Sequence, residues 1–350
     1  MEYGVCGNFK ETYEKDMEIY QTKFHKFCLY GFLVLLYIFP LFGGKYLLYV
    51  ANLMAIGVIG AIGLNILTGF AGQISLGHGA FIGIGAYACA YFTSNLGMSF
   101  WIAMPLAGVV TAVIGMIFGI PSLRLKGLYL AIATLAAQFI IEYIIVHWEA
   151  VTNGVLGKMV DSPHIGSFAF NTDKSYFYLS VTIAIILTIF AKNIIRTKTG
   201  RAFVAIRDNY IAAEIIGVDI FRYKLYAFAI SSFYAGIAGS LWAHYLTLIT
   251  PEHFTIGVSI EYLAMIIIGG LGSILGSIFG AVFMIALPEF LRFISGVVSQ
   301  SYPAIINIFA ALREGVFGLV IILFLIYEPK GMAHRWNLIK AYWKLWPFSY

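Results

Sequence analysis

Charge is scarce in this chain. Of its 350 residues only 22 are Lys or Arg and 17 Asp or Glu, so charged side chains make up 11%, against about 25% in an ordinary soluble domain. Cysteine is scarcer still. Cys6, Cys28 and Cys89 are too few and too scattered for a disulfide framework or a thiolate metal site. No G-x-x-x-x-G-K-[ST] stretch occurs. The nearest approach, "GVLGK" at 154–158, lacks both the spacing and the hydroxyl, which excludes ATP binding by that route. A nucleophile elbow, a paired-carboxylate constellation and a His/Cys cluster are also missing, so the chain reads as no enzyme, with no cofactor and no metal.

Apolar residues are what the chain has in excess: 61% of it is hydrophobic, with a mean hydropathy of +0.87. A membrane span needs roughly 20 mostly apolar residues, and many such runs are present. Continuous runs such as "SVTIAIILTIFA" (180–191) exclude the alternating pattern of a membrane β-barrel. The fold class is therefore all-α, a polytopic membrane protein. Apolar runs at 28–43, 47–68, 79–96, 100–121, 127–147, 176–195, 224–247, 258–272, 275–292 and 313–328 predict about ten transmembrane helices.

Ten spans put both termini on one side. The basic clusters Lys23/Lys26, Arg124/Lys126, the 192–224 loop and Lys330/Arg335/Lys340/Lys344 all fall on that side, which the positive-inside rule makes cytoplasmic. The net charge of +5 thus reflects topology and calls for no nucleic acid. The reading divides the chain into a cytoplasmic segment 1–27, a transmembrane domain 28–328 with a cytoplasmic loop at 196–222, and a cytoplasmic tail 329–350. The loop 148–175 lies outside. Arg313-Glu314 is set at the outer interface, because a span starting at Pro303 would carry both charges toward mid-membrane. Residues 293–312 are then expected to form an outer-surface segment.

Two stretches interrupt the apolar pattern with glycine: "TGFAGQISLGHGAF" (68–81) and "GGLGSILGSIFGAV" (269–282). Both carry the spacing Gly-x-x-Gly, at Gly69/Gly72 and Gly269/Gly272. Paired Gly-interrupted segments point to a transport site, although glycine also lets helices pack closely. The first break contains Gln73, Ser75 and His78, and the helix start that follows it could receive a carboxylate. Thr134, Gln138 and Glu142 share one helix face at i, i+4 and i+8. These six residues are the candidate substrate pathway; the alternative is that the first three tie down irregular backbone and that the second three face into the bundle and hydrogen-bond between helices.

Seven of the 22 Lys and Arg lie between Lys192 and Lys224, in a loop with a helical pattern of its own. Phe203, Ile206 and Tyr210 share a face, with Arg201 and Arg207 beside it. Such a helix has no core to cover its apolar face. It can lie on the bilayer or dock in another protein's groove, and its interleaved acidic residues (Asp208, Glu214, Asp219) favour docking.

This loop with the span after it, "GRAFVAIRDNYIAAEIIGVDIFRYKLYAFAISSFYAGIAGSL" (200–241), resembles branched-chain amino acid ABC transporter permeases. So do "GLNILTGFAGQISLGHGAFIGIGAYACAY" (63–91), "GLYLAIATLA" (127–136), "IIIGGLGSILGSIFGA" (266–281) and "EPKG" (328–331), in the family's order. The resemblance, to the longer of two permease subunits, implies an importer in a bacterial or archaeal plasma membrane. It implies a second permease subunit, two cytoplasmic ATPase subunits and an external substrate-binding protein. It also makes 200–218 the ATPase-coupling element, with Gly200 and Gly217 as bracketing turns, Arg201 and Arg207 holding the ATPase, and Phe203, Ile206 and Tyr210 filling its groove. Tyr210 stands where relatives often carry an acid. An ion-coupled carrier or a channel for small polar solutes such as urea or short amides is the alternative.

Overall fold

The computed structural model describes residues 23–122, 125, 127–166, 168–301 and 306–345. Most of the predicted N-terminal segment lies outside them, as do Arg124, Lys126 and Pro303. The chain groups into two compact units that divide between Leu48 and Tyr49. The first holds helix α1 (Lys23–Phe42) and the start of α2 (Lys45–Asn65). Phe27, Leu35, Leu41 and Phe42 stand exposed along α1, as suits a span with an apolar surface facing lipid.

The second unit continues α2 through a π-helical turn, Ile66–Phe70, and adds α3 (His78–Ser94), α4 (Phe100–Ser122) and α5 (Leu128–His147). After the loop 148–172 come α6 (Asp173–Arg196), α7 (Lys198–Ile215) and α8 (Ile220–Leu246). The chain closes with α9 (Ile256–Gly269), α10 (Ile274–Ser301), α11 (Ile306–Tyr327) and α12 (Met332–Leu345). Every predicted span coincides with one of these helices. Among the described residues, seven are long and apolar enough to cross a membrane by themselves, and the chain is an all-α, multi-pass membrane protein.

The helices differ in what surrounds them. Two-thirds of the apolar window of α2 and of α8 is buried within the chain, against 28% for α10. The 17-residue α3 is buried along most of its length. Lipid tails are as apolar as leucine, so helices in a bilayer associate by close packing of small residues. A methyl on Gly85 of α3 would collide with the backbone of Gly236 of α8, and one on Gly236 with Thr111 and Gly108 of α4. At the end of the bundle where α6 starts, buried and part-buried polar groups join α2, α6 and α8. Asn52 Nδ2 donates to the Asp173 carbonyl at 3.1 Å, Ser180 Oγ donates to Asn52 Oδ1 at 2.9 Å, and Tyr245 Oη donates to Asp173 Oδ1 at 2.9 Å.

The loop 148–172 is pinned to this core. Strands β1 (Lys158–Met159) and β4 (Leu248–Ile249) pair antiparallel, as do β2 (His164–Ile165) and β3 (Phe168–Ala169). Lys158 Nζ donates to Asn95 Oδ1 and sits 5.1 Å from the centre of the Tyr91 ring. Partial burial there lowers the Lys158 pKa.

One expectation needs correction. Residues 293–312 are no separate surface segment: 293–301 continue α10 and 306–312 begin α11. Arg313 and Glu314 therefore lie inside a helix and do not start one. At about 1.5 Å per residue, the 28 residues of α10 reach about 42 Å, beyond the roughly 30 Å hydrocarbon layer. The helix extends because its backbone groups satisfy one another in water as they do in lipid.

Candidate functional site

The loop helix α7 is two helices in series. Asn209 has φ −157° and ψ 101°, which interrupts the helix with one extended residue. Its Oδ1 accepts from the N–H groups of Ile211 and Ala212, both at 3.1 Å, in the manner of an N-cap. Residues 198–208 thus form a first helix, and residues 210–215 a short second one. Gly217 ends the second at φ 87°, with its N–H on the Glu214 carbonyl and that of Val218 on Ala213. This is the left-handed close that glycine favours. Gly200, expected to be a bracketing turn, is instead buried in the first turn of α7, where a Cβ would strike the Ile195 backbone.

The two helices face different surroundings. Phe203 is 0% exposed and Ile206 is buried, with the Phe203 ring set edge-on to Tyr223 at 6.5 Å. Both side chains pack into this chain's own bundle, so neither is open to fill a partner's groove. Tyr210 follows the interruption and is partly exposed, while Ile211, Ile215 and Ile216 stand out from the second helix, Ile215 at 80%. Arg201 is exposed and donates from Nη1 to the Arg196 carbonyl at 3.1 Å.

Arg207 keeps 37% of its side chain exposed and reaches into the bundle with its tip. Its Nη1 donates to the Gly69 carbonyl at 3.0 Å, and Asp208 Oδ1 accepts from Nε at 2.9 Å and lies 2.8 Å from Nη2. Gly69 belongs to the first glycine break, and the second break lies against it. The hinge between them is Asn65. Its Nδ2 reaches the carbonyls of Gly270 (3.4 Å) and Ser273 (2.9 Å) and the Ser277 hydroxyl (2.7 Å). Its Oδ1 accepts from the Gly272 N–H at 2.9 Å. A Cβ on Gly69 would collide with Asn65 Oδ1 and with Gly272 N, so the contact requires glycine. The turn at Glu328–Gly331 joins the same junction, with Gly331 pressed on Gly270. The 192–224 loop and the start of the tail thus meet at this junction.

The start of α3 is already occupied. Gly79 N–H donates to Ser259 Oγ at 2.7 Å, Ala80 N–H to Gln138 Oε1 at 2.8 Å, and Leu76 N–H to Thr134 Oγ1 at 2.9 Å. Gln138 Nε2 in turn donates to the Phe254 carbonyl at 2.7 Å. These are the donors expected to await a carboxylate, and the chain's own polar groups fill them. Buried helix ends require partners, and the buried Thr134 and Gln138 supply them. Glu142, on the same face, is only half-buried. His78 Nε2 is 2.9 Å from the Gly60 carbonyl, and Ser75 Oγ accepts from the Gly77 N–H at 3.4 Å. Gln73 differs from the others. It is 2% exposed, and neither side-chain atom has a hydrogen-bond partner among the described residues.

Sequence reasoning missed Asn65, Asn209 and Ser259. Asn65 carried a signal, a lone amide at the end of a long apolar run. Among the described residues no group of three His, Cys, Asp or Glu is placed to hold a metal.

Residues 46–325 match the family described as branched-chain amino acid transport system / permease component. Three curated relatives share this similarity. The high-affinity branched-chain amino acid transport system permease protein LivM of Salmonella typhimurium is 33% identical over 291 residues, covering 76% of this chain and 68% of the relative. LivM of Escherichia coli is 32% identical over the same shares. The probable LivM of Methanocaldococcus jannaschii is 25% identical over 241 residues, covering 66% of this chain and 67% of its own. No solved structure matches the chain.

Proposed function

The chain belongs to the branched-chain amino acid transport system permease family, and from that premise we propose that it is the membrane-spanning permease subunit of an ATP-binding-cassette importer for branched-chain or related amino acids. Its partners are a second permease subunit, two cytoplasmic ATPase subunits and an external substrate-binding protein. The loop 192–224 and both termini face the cytoplasm of a bacterial or archaeal cell.

The observation that carries the reading is the second loop helix. It is capped by Asn209 at one end and Gly217 at the other, and it presents Tyr210, Ile211, Ile215 and Ile216 outward from a first helix rooted in the bundle. That form suits a groove in a soluble partner. The ATPase-facing set is accordingly Arg201, Tyr210, Ile211, Ile215 and Ile216, with Phe203, Ile206, Gly200 and Gly217 as its framework. On the substrate side, Gln73 is the candidate contact because its buried amide has no hydrogen-bond partner among the described residues. Ser75, His78, Thr134 and Gln138 hold the irregular backbone in place, and Glu142 stands at the edge of that face. A proton-coupled carrier would need deeply buried acids, yet of the span acids whose surroundings are described Glu261 is exposed, Glu142 is half-buried, and Glu289 pairs with Arg292 at 2.9 Å.

The test is uptake of radiolabelled leucine in proteoliposomes. Uptake should require ATP and the co-reconstituted ATPase and second permease chains, and should survive an uncoupler. Uptake by this chain alone, driven by a proton or sodium gradient, would replace the reading with a carrier.

A further inference from the structure

We propose that Arg207 is the positioning residue that transmits movement of the cytoplasmic loop to both glycine breaks at once; this rests on the importer reading above. Three contacts converge on one side chain. Nη1 donates to the Gly69 carbonyl at 3.0 Å. A Cβ on Gly72, which has φ +69°, would meet Arg207 Cγ at 3.0 Å and its Cβ at 3.2 Å. A Cβ on Gly272, at φ +74°, would meet Nη1 at 2.8 Å. The first break therefore packs on the stem of Arg207 and binds its guanidinium through the Gly69 carbonyl, and the second lies against the guanidinium.

The mechanical setting supports the assignment. Arg207 stands near the end of the first loop helix, which Phe203 and Ile206 anchor in the bundle. Two residues later the extended Asn209 separates it from the exposed second helix. A push on residues 210–216 thus reaches the membrane domain through the end of the helix that carries Arg207. Asp208 fixes the guanidinium from the other side. On the receiving side, the π-helical turn Ile66–Phe70 and the open turn at Gly270–Ser273 interrupt regular helix, and helices bend most readily at such places. Asn65 ties the two breaks together, so a displacement of Gly69 is shared with Gly272. A planar, forked donor suits contacts with a carbonyl and a carboxylate together, whereas lysine offers a single point charge.

The inference separates Arg207 from a contact that merely holds the ATPase. The experiment uses the full complex in proteoliposomes and reads ATPase co-purification, ATP hydrolysis and substrate uptake for three variants. Arg207→Ala should retain the ATPase, while uptake per ATP hydrolysed falls about tenfold, within the usual range of coupling between sites. Arg207→Lys should fall between Arg207→Ala and the wild type. Gly272→Ala, outside the loop, should lower the same ratio because its methyl displaces Nη1. Loss of ATPase co-purification with Arg207→Ala would make Arg207 a docking contact and overturn the proposal. Wild-type uptake per ATP in both Arg207→Lys and Gly272→Ala would also overturn it, even if Arg207→Ala does not assemble. Wild-type uptake that needs no ATPase would overturn the importer reading first, and this inference with it.

Discussion

The first loop helix, residues 198–208, and the second, residues 210–215, are neighbours in sequence with opposite relations to the rest of the chain. The first buries Phe203 and Ile206 and sends Arg207 into the glycine junction. The second leaves Ile211, Ile215 and Ile216 exposed. Both are apolar on one face, so composition does not distinguish them. What distinguishes them is a single extended residue, Asn209, which ends one helix and caps the next. Under the proposed reading the first is a root and the second a docking surface, with different tasks: the root must not shift against the bundle, and the surface must stay open to a partner.

The sharpest way to break this comparison is Phe203→Ala. If the first helix is a root, removing a fully buried aromatic side chain costs about 3–5 kcal/mol. The permease should then melt earlier in detergent and accumulate less in membranes. A normal melting profile with loss of the ATPase would show that the inner face docks after all.

The converse change is Ile215→Asp with Ile216→Asp. Both side chains are exposed, so thermal stability should hold within about 0.5 kcal/mol. Binding of the ATPase should weaken strongly, since apolar anchors of an interface are each worth about 2 kcal/mol or more. Co-purification of the ATPase at wild-type levels would remove the second helix from the coupling role.

The smallest effect is expected at the division itself. Asn209→Ala removes a cap worth about 1 kcal/mol, which should loosen the second helix and lower ATPase affinity several-fold without disturbing the bundle. Asn209→Asp, which keeps the capping oxygen, should restore most of it. Equal loss in both variants would mean that the amide acts through some other contact.

The glycine breaks show how far the sequence could be read. Their positions, their shared Gly-x-x-Gly spacing and the polar character of the first were visible in the letters. Their meeting was not. Asn65 and Gly272 are 207 positions apart, and no local pattern links them. The stripe Thr134 and Gln138 was legible as a polar face turned into the bundle. What it binds depended on where the start of α3 came to rest, and there its hydroxyl and amide satisfy backbone donors. The end of α10 went the other way: two charges suggested a helix start at Arg313, but helix persists through that region.

By itself the sequence determined the all-α membrane class, the places of the apolar helices and the glycine interruptions. It also determined the close at Gly217 after the loop. Each of these follows from composition within about 20 residues, because span length, backbone freedom and capping are local properties. Tertiary structure decided which half of the loop is buried, where Arg207 points, which donors remain open and which amide lacks a partner. Those outcomes depend on which remote helix lies within about 3 Å of a given atom, and hydrogen-bond energy falls away steeply beyond that distance. Periodicity shows that a face will be covered; only packing decides what covers it.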